Sequence, residues 1–174
     1  MRTISETFLS KPVKFWETDA NKWRALIDTN VNGPFLMASA VVPHLLARGW
    51  GRIVNISMSY ATILREGFSP YGPSKAALES ETVIWAKELA DTGITVNSLL
   101  PGGATISGMI PDAVRATLLD PDVLVPPLVW LCSSAADNAT GGRYDAKNWD
   151  TARDPNEAAR LARRPAGWTT ADDD

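Results

Sequence analysis

Short apolar runs alternate with longer amphipathic ones along most of this chain. Two β-branched runs have the length and composition of buried strands, and a weaker third strand is predicted near the C-terminus; these are residues 52–56, 94–100 and 143–147. Apolar residues at helical spacing predict helices over residues 19–27, 35–47, 71–90 and 122–133. Strands separated by helices of this length are typical of an α/β fold, in which helices cover both faces of a parallel sheet.

Glycine and proline are expected to divide the helical regions. Gly33 and Pro34 are predicted to break the first helical run into two separate helices. We divide the chain into a domain over residues 1–150 and a C-terminal tail over residues 151–174. The tail is expected to form a loose or partner-dependent helix.

The composition excludes several classes of function. A formal net charge of -3 over 174 residues provides no basic field for nucleic acid. One cysteine and one histidine are too few for the usual zinc or other Cys/His metal sites. No segment has the length and hydrophobicity of a membrane span or a signal peptide, so we expect a cytoplasmic protein. Small molecules and protein partners both remain open as ligands.

The candidate chemistry lies where the predicted strands end, because ligands of parallel sheets bind beyond the carboxyl ends of the strands. Polar residues follow the first two strands, over residues 57–59 and 101–107. Tyr71 and Lys75 begin the long helix, and their spacing places both side chains on one helix face. A nearby cation favours the phenolate, so Lys75 is expected to lower the pKa of Tyr71. A solvated surface pair is the alternative at this spacing.

Four segments of the sequence resemble the short-chain dehydrogenase/reductase family. They are DTNVNGPF, GRIVNIS, YGPSKAALE and GITVNSLLPGG, which occur in the family's order and at its approximate spacings, and together they cover most of residues 15–145. The resemblance implies a Rossmann-like parallel sheet with flanking helices and NAD or NADP as the cofactor. It also implies hydride transfer between a carbonyl compound and a secondary alcohol. A homo-oligomer formed through the helix over residues 71–90 is expected as well.

The resemblance also implies roles for single residues near the helix start. Tyr71 would exchange a proton with the substrate oxygen, while Lys75 would lower the Tyr71 pKa and bind the nicotinamide ribose. Asn30 matches the family's helix asparagine, which holds a water molecule in the proton relay. The alternative role for Asn30 is to interrupt a helix before Gly33.

The loop after the second strand is the expected site of the nicotinamide carboxamide. Pro101 and Gly102 match the family's turn, and Thr105 or Ser107 would supply the hydroxyl group. A loop without any ligand contact is the alternative. Bulky side chains are expected to line a pocket for a hydrophobic carbonyl compound, namely Tyr60, Leu64, Phe68, Met109 and Ile110.

The family's active serine does not occupy its usual position. Its common spacing of thirteen residues before Tyr71 leads to Met58, which cannot hydrogen-bond to a substrate oxygen. Ser59 is the preferred candidate because it lies past the strand end, and Ser57 is the alternative. Either serine could simply terminate the strand.

The glycine-rich phosphate loop of such proteins has no match in this sequence, nor does the family's Asn-Asn-Ala-Gly strand end. The N-terminal half of the fold is therefore expected to be missing, which would leave one edge of the strand at residues 52–56 unpaired. Dinucleotide binding by this chain is expected to be weak or undetectable. The alternative function is a non-catalytic remnant that acts as an oligomerisation or interaction module.

Overall fold

The computed structural model describes residues 12–107 and 116–167. The strands are β1 (Gly51–Ile56), β2 (Ile94–Leu100), β3 (Gly142–Asp145) and β4 (Arg163–Pro165). The α-helices are α1 (Ala20–Ile27), α2 (Gly33–Arg48), α3 (Tyr60–Ile63), α4 (Tyr71–Glu88), α5 (Val125–Leu131) and α6 (Pro155–Ala162). Short 3₁₀ turns cover Phe15–Glu17, Pro121–Leu124, Ser134–Ala136 and Ala146–Asn148.

The four strands form one sheet in the order β1-β2-β3-β4. The first three are parallel, and β4 runs antiparallel to β3. The register pairs Gly51 with Ile94 and Ile56 with Leu99, so β1 and β2 end side by side. The predicted α/β fold with a mainly parallel sheet is confirmed. Among the described residues, no strand pairs with the outer side of β1.

Alternating side chains of the strands build one apolar layer on each face of the sheet. On one face, Trp85 and Ala86 of α4 and the following Leu89 pack on Ile94 and Val96 of β2. Side chains of α2 pack against this cluster. On the opposite face, α5 and α6 pack on the sheet in a cluster of Leu99, Leu131, Tyr144, Ala146 and Ala159. Both layers agree with the strand period of two residues.

The predicted break at Gly33 and Pro34 is wrong. A π-helical segment, Asp28–Asn32, joins α1 directly to α2, and the Gly33 N–H donates to the Asp28 carbonyl. Pro34 lies in the first turn of α2 and has no N–H to donate to the preceding turn. The wider π turn absorbs the irregularity, so the chain stays helical.

The expectation of a loose C-terminal tail is wrong for the described part, which ends at residue 167. The Asp154 carboxylate caps α6 by accepting from the Asn156 and Glu157 N–H groups. Ala158 and Ala159 lie buried on one face of the helix. The chain then returns as β4, which pairs with β3. Small side chains on a single face allow α6 to pack closely on the sheet, and alanines at this spacing carry little signal of a buried face in the sequence.

The short helix α3 was not predicted, and it packs directly on the first turn of α4. A side chain at Gly72 would place its Cβ 2.1 Å from the Ile63 carbonyl oxygen. Glycine at this position therefore permits the close approach of the two helices. Among the described helices, none is long and apolar enough to cross a membrane.

The packing of α6 predicts the effect of a charge on its buried face. Ala159 is 2% exposed in the apolar cluster beneath the sheet. We expect Ala159→Asp to lower the free energy of unfolding by about 3 kcal/mol or more, because the carboxylate would have no partner there. Arg160→Asp, on the exposed side of the same helix, should cost less than about 1 kcal/mol. Urea denaturation measures both values, and equal stability of the two variants would contradict this packing.

Candidate active site

A cavity of about 400 Å³ lies at the carboxyl ends of β1 and β2. This volume is typical of small-molecule sites, which span roughly 300–1,000 Å³. Three segments bound the cavity: the turn after β1, the start of α4 and the loop after β2. Its walls include Ser57, Met58, Ser59, Tyr71, Lys75 and Thr105.

Tyr71 and Lys75 both face this cavity from the first turns of α4. The Lys75 Nζ donates to the Ile56 carbonyl at 2.8 Å and lies 5.9 Å from the centre of the Tyr71 ring. The structure therefore brings together the two side chains predicted to act as a pair. The ammonium is anchored to the end of β1, at the edge of the cavity.

The predicted lowering of the Tyr71 pKa is wrong for this arrangement. Burial raises the pKa of Tyr71 above its ordinary value of 10.0, since the phenolate would lose its hydration. Burial also lowers the pKa of Lys75, and the Glu79 carboxylate partly opposes that shift. Because the Lys75 ammonium donates to the Ile56 carbonyl and lies 5.9 Å from the centre of the Tyr71 ring, burial dominates the pKa of the phenol.

The three residues after β1 occupy different environments. Ser57 is buried, and its hydroxyl group has no hydrogen-bond partner in the structure. Ser59 caps α3: its Oγ accepts from the Thr62 N–H at 3.3 Å and lies 2.7 Å from the Thr62 hydroxyl. Met58, at the family's serine position, contributes a thioether to the cavity wall. Thr62 also lines the cavity, and the sequence reasoning missed it.

Asn30 lies in the π-helical segment and is linked to the start of α4. Its amide Nδ2 donates to the Ser74 hydroxyl at 3.0 Å, and that hydroxyl donates to the Tyr71 carbonyl at 2.7 Å. Pro34 has no N–H to offer the Asn30 carbonyl four residues earlier in the helix. Asn30 thus contacts the tyrosine through Ser74, from outside the residues that line the cavity.

The loop after β2 lines the same cavity as the start of α4. Gly102 has a φ of +84°, and a Cβ there would lie 2.0 Å from an Asp145 carboxylate oxygen. Only glycine fits this turn without displacing its neighbours. The Thr105 hydroxyl donates to the Gly103 carbonyl at 3.0 Å and lines the cavity, as does Ser107.

The predicted apolar lining is correct at one position and wrong at two. Phe68 lines the cavity, whereas Leu64 is 75% exposed at the end of α3. Tyr60 turns away, because its ring packs under the Arg143 guanidinium and its hydroxyl donates to the Gly167 carbonyl. Met109 and Ile110 lie outside the described residues.

Comparison with known proteins identifies the family. A family model described as short chain dehydrogenase matches residues 7–116. The chain belongs to the short-chain dehydrogenase/reductase family. This chain is similar to the acetoacetyl-CoA reductase of Cupriavidus necator, with 31% identity over 154 residues, 81% of this chain and 62% of the relative. It is 45% identical to the L-xylo-3-hexulose reductase of Hypocrea jecorina over 98 residues, 56% of this chain and 32% of the relative.

A solved structure agrees with this assignment. The gluconate 5-dehydrogenase of Burkholderia cenocepacia, in complex with NADP and tartrate, superposes with a TM-score of 0.69 at 26% identity, covering 78% of this chain and 59% of that chain. The chain therefore spans less than two thirds of the length of each of these relatives.

The burial of Tyr71 predicts its titration. The difference in phenolate absorbance between the wild type and Tyr71→Phe should have a midpoint above pH 10.0. Because the folded-state pKa exceeds the unfolded one, the stability linked to Tyr71 is complete below the unfolded pKa and is lost as pH rises through the folded pKa. Tyr71→Phe should therefore lose stability less steeply at alkaline pH. A midpoint at or below pH 10.0 would contradict the burial of this phenol.

Proposed function

We propose that this short-chain dehydrogenase is an NAD(P)-dependent oxidoreductase that interconverts a carbonyl compound and a secondary alcohol. The observation that carries the proposal is that Tyr71 and Lys75 line one cavity at the carboxyl ends of β1 and β2. This edge is where parallel α/β sheets bind their ligands. A phenol can exchange a proton with a substrate oxygen, and an ammonium can donate to several hydroxyl groups.

Tyr71 is assigned to proton transfer. Its raised pKa keeps the phenol protonated at neutral pH, which suits donation to a carbonyl oxygen during reduction. In the oxidative direction, the same oxygen accepts the alcohol proton. An ammonium turned from the Ile56 carbonyl toward the phenol would favour the phenolate and would make that direction accessible.

The residues of the cavity fit the nicotinamide end of a dinucleotide. Lys75 has N–H donors beyond the one directed at Ile56, and these could bind ribose hydroxyls. Thr105 and Ser107 offer hydroxyl groups in the facing loop. When bound, the nicotinamide supplies or accepts the hydride. The pyrophosphate requires a glycine-rich turn at a helix N-terminus, which this sequence does not contain.

Ser59 remains our candidate for the substrate-binding hydroxyl. It lines the cavity beside Thr62, and their two hydroxyls form a hydrogen-bonded pair. One of the pair can donate onward to a substrate oxygen while the other donates to its neighbour. We propose that Asn30 supports the proton relay through its hydrogen bond to Ser74, whose hydroxyl donates to the Tyr71 carbonyl.

We also propose a homo-oligomer formed through α4 and its neighbour α2. A groove between these helices is lined by Phe35, Val42 and Trp85. Phe35 is 51% exposed and Ile84 is 45% exposed, so both helices present apolar surface to solvent. Apolar surface of this kind supports an interface.

Titration with NADH and NADPH tests the dinucleotide assignment first. We expect weak binding, because the cavity can hold the nicotinamide end but the chain lacks the phosphate turn. Calorimetry or fluorescence enhancement of the reduced nucleotides measures the affinity. If neither nucleotide binds at any concentration, the chain is not an enzyme by itself, and the interaction module is favoured instead.

At saturating dinucleotide, Tyr71→Phe tests proton transfer. We expect turnover to fall by about 10²-fold or more, because the general acid is lost, while dinucleotide affinity changes little. Turnover is measured on acetoacetyl-CoA, gluconate and a panel of hydrophobic ketones. Tyr144→Phe is the matched control, since that phenol is buried beneath the opposite face of the sheet. Activity retained by Tyr71→Phe would remove the assignment.

Substitutions of the two serines separate their roles. Ser59→Ala should lower kcat and also destabilise the protein by about 1 kcal/mol, since it removes the cap of α3. Ser57→Ala should leave kcat nearly unchanged, because its hydroxyl makes no hydrogen bond in the structure. Kinetics and urea denaturation measure the two effects. If Ser57→Ala lowers kcat more than Ser59→Ala does, Ser57 is the substrate-binding serine instead.

A further inference from the structure

A buried ion pair links α4 to β3 beneath the cavity. The Glu79 carboxylate is fully buried, and its Oε1 accepts from the Arg143 Nε at 3.2 Å. Its other oxygen accepts from the Ser98 hydroxyl at 3.3 Å. Glu79 follows Lys75 by one helical turn, so the same face of α4 carries both charged groups.

Arg143 reaches from this pair to the turn that carries Met58. Its Nη2 donates to the Met58 carbonyl at 2.6 Å. The guanidinium also lies over the Tyr60 ring, 4.1 Å from its centre. One side chain therefore joins the catalytic helix, the last parallel strand and the segment between β1 and α3.

We propose that Glu79 and Arg143 are positioning residues that fix the Ser57–Ser59 turn relative to Tyr71 and Lys75. This inference rests on the proposed oxidoreductase function of the same cavity. Glu79 orients the Arg143 guanidinium, and Arg143 holds the carbonyl of the residue that separates the two serines.

The chemistry of the pair supports a positioning role. Replacing a buried ion pair with apolar residues of similar size is often neutral or stabilising, so stability by itself does not account for such a pair. A guanidinium, with several donors in a rigid fork, can bind a carboxylate and a carbonyl at the same time. Arg143 makes both contacts with different nitrogen atoms.

The turn is held by two cations, and only one of them faces the cavity. Lys75 binds the Ile56 carbonyl, and Arg143 binds the Met58 carbonyl two residues later. If Lys75 turns to a bound dinucleotide, its contact with Ile56 is lost. Arg143 itself is not among the residues that line the cavity, so its contact with the Met58 carbonyl can hold the turn in both states.

Hydrogen–deuterium exchange of the full chain tests the proposal without dinucleotide or substrate. Arg143→Met by itself would leave Glu79 buried and unpaired, so the main variant is the double substitution Glu79→Leu with Arg143→Met. We expect this variant to remain folded, while the amides of residues 57–62 exchange about tenfold faster. Arg143→Lys, which retains a cation beside Glu79 without the fork, provides a second folded variant that should show the same local acceleration.

Asp137→Asn is the matched control. It removes the ion pair between Asp137 and Arg52, which lies near the opposite end of β1 and should not alter exchange at residues 57–62. Unchanged exchange at residues 57–62 in both test variants would overturn the proposal. Equal acceleration throughout α4 and β2 would also overturn it, because that result indicates a general loss of stability.

If the wild type shows turnover, measurements of kcat and KM test whether the position of the Ser57–Ser59 turn affects catalysis. The double variant should lower kcat by about tenfold while the KM for dinucleotide stays within about twofold, because the cofactor contacts are retained. If a stable double variant has the kcat of the wild type, Glu79 and Arg143 have only a structural role. A wild type without turnover would refute the proposed function, whereas the exchange result would still decide whether the pair fixes the turn.

Discussion

Hydrogen bonds buried between α4 and the sheet set the position of that helix on the strands. Asn55 donates to the Thr82 hydroxyl at 2.9 Å, and Ser98 donates to the Glu79 carboxylate at 3.3 Å. A buried polar group that loses its partner costs roughly 1–3 kcal/mol, so a shift of α4 along the strands is strongly disfavoured. Apolar contacts drive the packing, and these bonds select one register. The first turn of α4 consequently stands at the carboxyl ends of β1 and β2.

Burial at the start of α4 shifts the pKa values of Tyr71 and Lys75. Tyr71 and Lys75 are partly buried where α3 packs on Gly72, and they share their cavity with the loop after β2. Burial then favours the neutral form of each group, which raises the pKa of Tyr71 and lowers that of Lys75. Burial therefore moves the pKa of Lys75 toward neutral pH and the pKa of Tyr71 away from it, which keeps the phenol protonated. A bound ligand that redirects the lysine would change this balance.

Strand β1 lies at one edge of the described sheet and pairs only with β2. Parallel sheets are normally covered and continued on both sides, but the described residues build the sheet outward from β1 in one direction only. The far side is completed by β4, whose Arg163 and Arg164 are exposed at the new edge. Charged residues on an edge strand discourage further pairing. In the described part of the chain, the sheet therefore ends in a charged edge strand at β4 and in an edge at β1 with no described partner.

The sequence by itself determined the family, the parallel sheet and the pairing of Tyr71 with Lys75, because these depend on local periodicity and on motifs of fixed spacing. Side-chain orientation and burial depend on what lies across the fold, so the tertiary structure decided the rest. The contact between Glu79 and Arg143 joins residues 64 positions apart. The continuous helix through Pro34 and the ordered C-terminal segment likewise follow from packing against distant residues. The sign of the Tyr71 pKa shift was decided in the same way, since desolvation by the surrounding chain exceeds the influence of the lysine one turn away.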